Sequence, residues 1–177
     1  MSVKKVIGLD LSMTATGLCH TEGQAACWPV GEHRGACWHL VRSREVKDFR
    51  LPDIRSQVKQ YAHDSDFALI EMLPPNMKGA GITGMVQGIV REMLLEQGIR
   101  YGDIGPSSLK KYATGRGNAS KTDMAVAALK RGGVEFTNDN ECDAWWLWVM
   151  ANDHLGQPVF DLPQVNRAEL SKIEMKG

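Results

Sequence analysis

Long apolar runs are missing from this 177-residue chain. The longest uncharged apolar stretch, residues 144–151, falls far short of the roughly 20 residues that span a bilayer. The opening MSVKKVIGLD has no long apolar run ahead of a cleavage site. A soluble, intracellular protein is expected. Cysteine is scarce: Cys19, Cys27, Cys37 and Cys142 show neither CxxC pairs nor a disulfide-framework spacing, which argues against a stapled secreted scaffold and suits a reducing compartment. His20, His33 and His39 lie near them, but the spacings are irregular for zinc, and ordinary buried or half-exposed side chains are expected. Net charge is absent too, because 21 basic residues cancel 21 acidic ones and leave no global footprint for a polyanion. The length excludes two ordinary domains, and no internal repeat or low-complexity tract is present.

What is present is charge in particular places. Residues 100–131 hold Arg100, Lys110, Lys111, Arg116, Lys121, Lys130 and Arg131 against only Asp103 and Asp123. Compensating acids sit partly at Asp139, Glu141 and Asp143, where a bound metal would cancel them and uncover a DNA-binding face; a merely solvated basic face is the equal alternative from this feature alone.

Residues 3–11, VKKVIGLDL, read as a buried strand that ends in an acid. Residues 12–21 read as a turn and an antiparallel return strand, and residues 36–41 as a third strand. Leu51, Ile54, Val58 and Tyr61 recur at helical spacing, with Pro52 tolerated in the first turn, so residues 51–63 are expected to be a helix. FALIEM, residues 67–72, is another short buried strand, stopped by Pro74 and Pro75. Residues 76–97 read as a long helix carrying glycines 79, 81, 84 and 88, with residues 78–84 as an alternative loop. Residues 99–104 read as a last strand. Serine-capped helices are expected over 107–112 and, after the loop ATGRGNAS, over 121–130. Residues 140–154 form the final helix, whose Trp145, Trp146 and Trp148 fall on different faces and suit core and dimer packing. Beyond residue 157 little periodic core remains, so 1–157 is expected as one domain and 158–177 as a tail, docked or disordered.

Three acids stand out by context. Asp10 lies inside an apolar strand, Glu71 ends another, and Asp143 opens an apolar helix. Burying several carboxylates together is costly unless cations neutralise them. A pair of hard divalent ions does so, and can also activate water and stabilise the leaving oxygen of a phosphodiester. Metal-assisted phosphoryl chemistry follows.

These residues resemble a known family. VIGLDLSMTATG with Asp10, FALIE with Glu71, PSSLKKYATGRGNASK ending at Lys121, and NECDAWWLW with Asp143 are similar, in that order, to blocks of the RuvC-type resolvases that cut Holliday junctions, especially phage-encoded ones. The resemblance spans residues 3–154. It implies an α/β, RNase H-like fold with a mixed central sheet of about five strands flanked by helices, a homodimer, two Mg²⁺ ions per active site with Mn²⁺ able to substitute, and paired nicks in a four-way or branched DNA. It implies no organic cofactor and no membrane partner, with the protein in the cytoplasm, the host's if phage-encoded. Asp10, Glu71 and Asp143 match the family's first, second and last metal ligands. The remaining ligand position falls at Asn140, one helical turn before Asp143, where the family often has Asp or His. Its oxygen can coordinate a hard cation without adding charge, and Asp139 and Glu141 are the neighbouring alternatives. Lys121 matches a basic residue near the scissile phosphate, and Lys110, Lys111 and Arg116 would hold backbone phosphates. After Glu71 the chain reads MLPPNMKG where some relatives have a stacking aromatic; Met72, Leu73 and Met77 are expected in core packing rather than against a splayed base.

Two other classes compete. GLDLSMTATG also resembles the first phosphate loop of actin-like ATPases and sugar kinases, but the chain has no second phosphate loop or Gly-Gly adenosine motif. A non-catalytic junction-binding protein is the other, suggested by the neutral Asn140.

Overall fold

The apolar run VIGLD becomes the middle of the sheet because both of its faces are covered. In the computed structural model, which describes residues 3–21, 31–33, 35–43, 49–73 and 80–176, it forms β1 (Val6–Asp10), with Val6, Ile7 and Leu9 fully buried. The strand pairs antiparallel with β2 (Thr16–Thr21), which pairs with β4 (Ala36–Val41); β3 (Gly31–His33) adds to that edge. On the other side β1 runs parallel to β5 (Phe67–Glu71), and β5 runs parallel to β6 (Arg100–Ile104). A last strand, β7 (Glu174–Lys176), pairs antiparallel with β6. The order is therefore β3-β4-β2-β1-β5-β6-β7, a mixed sheet of seven strands. The two beyond the expected five, β3 and β7, are three-residue edge strands, too short to produce a periodic signal.

Helices cover both faces. On one side α1 (Arg50–Ala62) and α2 (Ala80–Glu96) pack with Ile54, Val58, Val86, Val90 and Met93 against Ile7, Leu9, Ala68 and Ile70. On the other, α3 (Pro106–Thr114), α4 (Lys121–Gly132) and α5 (Asp139–His154) enclose Trp145, Trp146, Tyr112 and Phe67. All three tryptophans of α5 are buried inside this one chain. They serve its own core. Caps differ from expectation at α3, which starts on Gly105 with Pro106 in its first turn and has no serine cap. At α4 the expected cap is present as a reciprocal box between Ser120 and Asp123.

The C-terminal segment is docked. A short helix α6 (Gln164–Arg167) and a 3-10 turn (Ala168–Lys172) lead into β7. Asn166 donates to the carbonyl of Tyr112 at 2.7 Å, and the Tyr112 hydroxyl donates to Asp153, which also pairs with Arg167. These contacts fasten the segment to α3 and α5.

His20 and His39 face each other with their Nε2 atoms 3.0 Å apart. The carbonyl of Thr21 can only accept, so His20 Nδ1 carries its proton there, at 2.9 Å, and His20 Nε2 accepts from His39. Burial, then the neighbouring His20, push His39 down to about 4. They are a neutral core pair, while Cys27 and the side chain of His33 lie outside the described residues. So do residues 74–79, including Met77 and the first part of the 76–97 helix; from Ala80 onward that stretch is helical. Among the described residues no helix is long and apolar enough to cross a membrane.

Candidate active site

Two adjacent parallel strands each end in an acid. Leu9 pairs with Ile70, so Asp10 and Glu71, one residue further on, leave the same end of the sheet side by side. α5 brings the third. It lies on the first hairpin closely enough that a Cβ on Gly8 would sit 2.4 Å from the carbonyl oxygen of Ala144, and one on Gly17 would sit 2.0 Å from that of Asn140. Two glycines, at Gly8 and Gly17, thus set the depth at which Asn140 and Asp143 approach Asp10. Asp10, Glu71, Asn140 and Asp143 line one cleft of about 300 Å³, together with Lys110, Lys121 and Ser12.

The cleft is electrostatically unsatisfied. Burial first and the Asp143 carboxylate second push Asp10 up to about 7, against the pull of Lys121. Burial, then Asp10 and Asp143, push Glu71 up to about 8. Burial also raises Asp143 to about 6, opposed chiefly by Lys121. Carboxyl groups whose ionisation is opposed first by burial and then by neighbouring acids are a hard, oxygen-rich donor set of the kind that suits a divalent cation. Among the described residues no three carboxyl, imidazole or thiol groups already close round a single point, so the donors share the cleft wall without forming a finished cage.

Local hydrogen bonds hold this wall in place. The turn after Asp10 is closed twice: Ser12 Oγ donates to the carbonyl of Ala15 at 2.8 Å, and Thr16 Oγ1 donates to that of Ser12 at 2.8 Å. Asn140 Nδ2 donates to the same Ala15 carbonyl at 2.7 Å, which leaves its Oδ1 for other work. Gln87, buried on α2, donates to the backbone carbonyl of Glu71 at 2.8 Å. Sequence reading missed Ser12, Thr16 and Gln87; the signals were the Ser/Thr pair at four-residue spacing in LSMTAT and the lone amide in MVQGIV.

The four cations proposed for DNA part company. Lys110 and Lys121 line the cleft, with Lys121 Nζ 2.9 Å from Asp139 in an exposed pair. Lys111, one residue from Lys110, turns to the C-terminal segment and pairs at 2.9 Å with the buried Glu169, which Lys172 also meets at 2.7 Å. Arg116 pairs with Asp123 at 3.1 Å in a separate groove. Of the alternative ligands, Asp139 pairs with Lys121 at the surface and adds to the upward shift of Asp143, and Glu141 is buried with Arg42 as the cation acting on it. Neither lines the cleft.

No family model matches the chain and no curated protein sequence matches it. Solved structures do. RuvC of Thermus thermophilus superposes with a TM-score of 0.69 at 20% identity, covering 97% of this chain and 99% of that one. T. thermophilus RuvC in complex with a Holliday junction substrate gives 0.71 at 19% identity, covering 98% and 99%. The chain has the RNase H-like fold of RuvC over nearly its whole length.

Proposed function

We propose that this chain is a divalent-metal-dependent endodeoxyribonuclease of the RuvC type, which resolves four-way and other branched DNA by paired nicks as a homodimer. One observation carries this: Asp10, Glu71 and Asp143 arrive from two strands and a helix in one cleft, where burial raises all three carboxyls, Asp143 adds to the shift of Asp10, both add to that of Glu71, and two lysines face them. Asp10, Glu71, Asp143 and the Asn140 Oδ1 would hold two Mg²⁺ ions, or Mn²⁺, which supply Lewis-acid stabilisation and a nucleophilic water at neutral pH. The chain's own groups do the rest. Lys121 and Lys110 bring positive charge to the place where a phosphodiester would develop negative charge. The Lys121–Asp139 pair is exposed, hence weak, and readily exchanged for a phosphate. The Ser12–Thr16 turn and Gln87 hold the backbones at Asp10 and Glu71 still while charge moves.

The test compares cutting of a mobile four-way junction, a Y-fork, linear duplex and an RNA–DNA hybrid in Mg²⁺, with binding measured in Ca²⁺. Junction-selective nicking supports the reading. Junction binding in Ca²⁺ with no nicking in Mg²⁺ would assign the chain to the non-catalytic class instead.

The raised carboxyls also predict a link between pH and cations. Unfolded, these groups ionise near their ordinary values of about 4; folded, Asp10 ionises near 7 and Glu71 near 8. Between those pH values the folded protein binds more protons than the unfolded chain. Stability from the protonated cluster is complete below pH ~4 and drains away as pH rises through the folded values. The melting temperature in Mg²⁺ minus that in EDTA should therefore be small at pH 5 and clearly positive at pH 8.5. Equal differences at both pH values would mean that the cleft carboxyls do not bind the ion.

Asn140 should show two effects of opposite kind. Asn140→Asp adds charge to the cation site and should lower the Mg²⁺ needed for half-maximal cutting. It also removes the donor to Ala15, at a cost of roughly 1 kcal/mol. Asn140→Ala should raise the Mg²⁺ requirement and lose the same stability. Titrations that coincide with wild type would exclude Asn140 as a ligand, whatever the melting temperatures do.

For the dimer, α2 offers an apolar face: Ile82 and Met85 are each 55% exposed and Gly88 faces open space. A symmetric junction needs two nicks related by a two-fold, which a closed dimer supplies. Met85→Glu is expected to give monomers in sedimentation and to uncouple the two nicks. A wild-type monomer, free and on the junction, would rule out the paired-nick mechanism.

A further inference from the structure

A second concavity, of about 290 Å³, lies between the end of α3 and the outer side of α4, lined by Ala113, Thr114, Arg116, Val126, Lys130 and Arg131 among others. Its one carboxylate is already engaged, since Asp123 accepts from the backbone and hydroxyl of Ser120, both at 2.9 Å, and pairs with Arg116. Lys130 and Arg131 form no ion pair among the described residues. The turn that presents Arg116 is built: Gly115 takes a left-handed conformation and donates to Lys111, and the Arg116 N–H donates to Thr114 Oγ1 at 3.1 Å. A chain with no net charge thus gathers three cations beside Ala113, Val126 and Ala127. Clustered cations beside a hydroxyl-bearing turn are what the phosphates of a nucleic-acid backbone require.

Where the groove sits decides which backbone. Lys121 opens α4 and lines the cleft, whereas Lys130 is nine residues on, a rise of ~14 Å and a rotation of about two and a half turns. The two side chains therefore leave opposite sides of the helix. They are separated by about four base-pair rises of 3.4 Å along a duplex axis, yet no straight backbone can touch both. We infer that the groove seats the backbone of a different arm of a branched DNA from the arm in the cleft, making Arg116, Lys130 and Arg131 determinants of selectivity for branched over linear DNA. This rests on the branched-DNA reading of the cleft.

The test measures binding in Ca²⁺ over a salt series, on a four-way junction and on a linear duplex of equal length. The proteins are wild type, the double variant Lys130→Gln with Arg131→Gln, and an exposed-cation control, Arg100→Gln. The double variant should bind the junction more weakly with a log–log salt slope shallower by about two, while its duplex curve overlays the wild type's and Arg100→Gln changes neither. If the double variant weakens both DNAs alike, or leaves the junction slope unchanged, the groove is not a second-arm site even though the cleft reading stands. A wild-type protein with no preference for the junction would sink both. Should the double variant melt early, Lys130→Gln alone, at an exposed helix position, is judged by the same criteria with a slope change of about one.

Discussion

Asp10→Asn, Glu71→Gln and Asp143→Asn are each expected to stop nearly all cutting while leaving junction binding intact or slightly tighter. Each removes a negative charge from the donor set and keeps its shape. The loss is several kcal/mol of transition-state stabilisation, which at 1.36 kcal/mol per decade is about a hundredfold or more in rate. Binding should not fall, because the same carboxylates repel the phosphates of an approaching DNA. The substitutions should also raise the melting temperature in EDTA at pH 8.5, since the burial of charge and the repulsion that lift Asp10 and Glu71 are relieved. Single-turnover cutting, junction affinity in Ca²⁺ and thermal melting together make the test. A variant that cuts at close to the wild-type rate removes its residue from the catalytic set.

Gly17→Ala and Gly8→Ala should damage both fold and activity, although neither residue carries a functional group. Added Cβ atoms would meet backbone: the Asn140 carbonyl oxygen at 2.0 Å in one case, the Ala144 oxygen and the Trp148 nitrogen at 2.4 Å in the other. Backbone inside a packed helix cannot swing aside as a side chain would, so α5 must move outward as a unit. Overpacking of this kind costs about 1–3 kcal/mol and occasionally more. Because α5 carries Asn140 and Asp143, the shift should also separate Asp143 from Asp10 and lower turnover well beyond the loss of stability. Gly105→Ala is the control, at a helix cap with open space around it. Denaturant unfolding and single-turnover cutting would reveal the pattern. Equal behaviour of Gly17→Ala and Gly105→Ala would mean that α5 is not held by this contact.

Much of the architecture was legible because burial leaves a local trace. VIGLD and FALIE are apolar with an acid as the last residue, and a chain that buries both faces of two neighbouring strands can expose those acids only at the strand ends. Helical periodicity likewise located α1, α4 and α5 to within a few residues. The three-acid cleft followed from this, since an acid inside an apolar run is a local anomaly visible without any partner.

What sequence could not decide depended on which distant segment lies opposite. Lys110 and Lys111 are neighbours of identical chemistry, yet one lines the cleft and the other is turned away by Glu169, a residue of the C-terminal segment that local patterning left as a tail. Asn140 read as a neutral substitute for an acid, and only the approach of Ala15, 125 residues away, makes its amide a donor that an acid could not replace. Edge strands β3 and β7 exist because β4 and β6 offer them unpaired backbone. The sequence by itself determined where the strands, helices and anomalous acids fall, because periodicity and burial act within a few residues. Tertiary structure alone decided which cations face the acids and how closely α5 approaches them, because those are contacts between surfaces that meet only once the chain has folded.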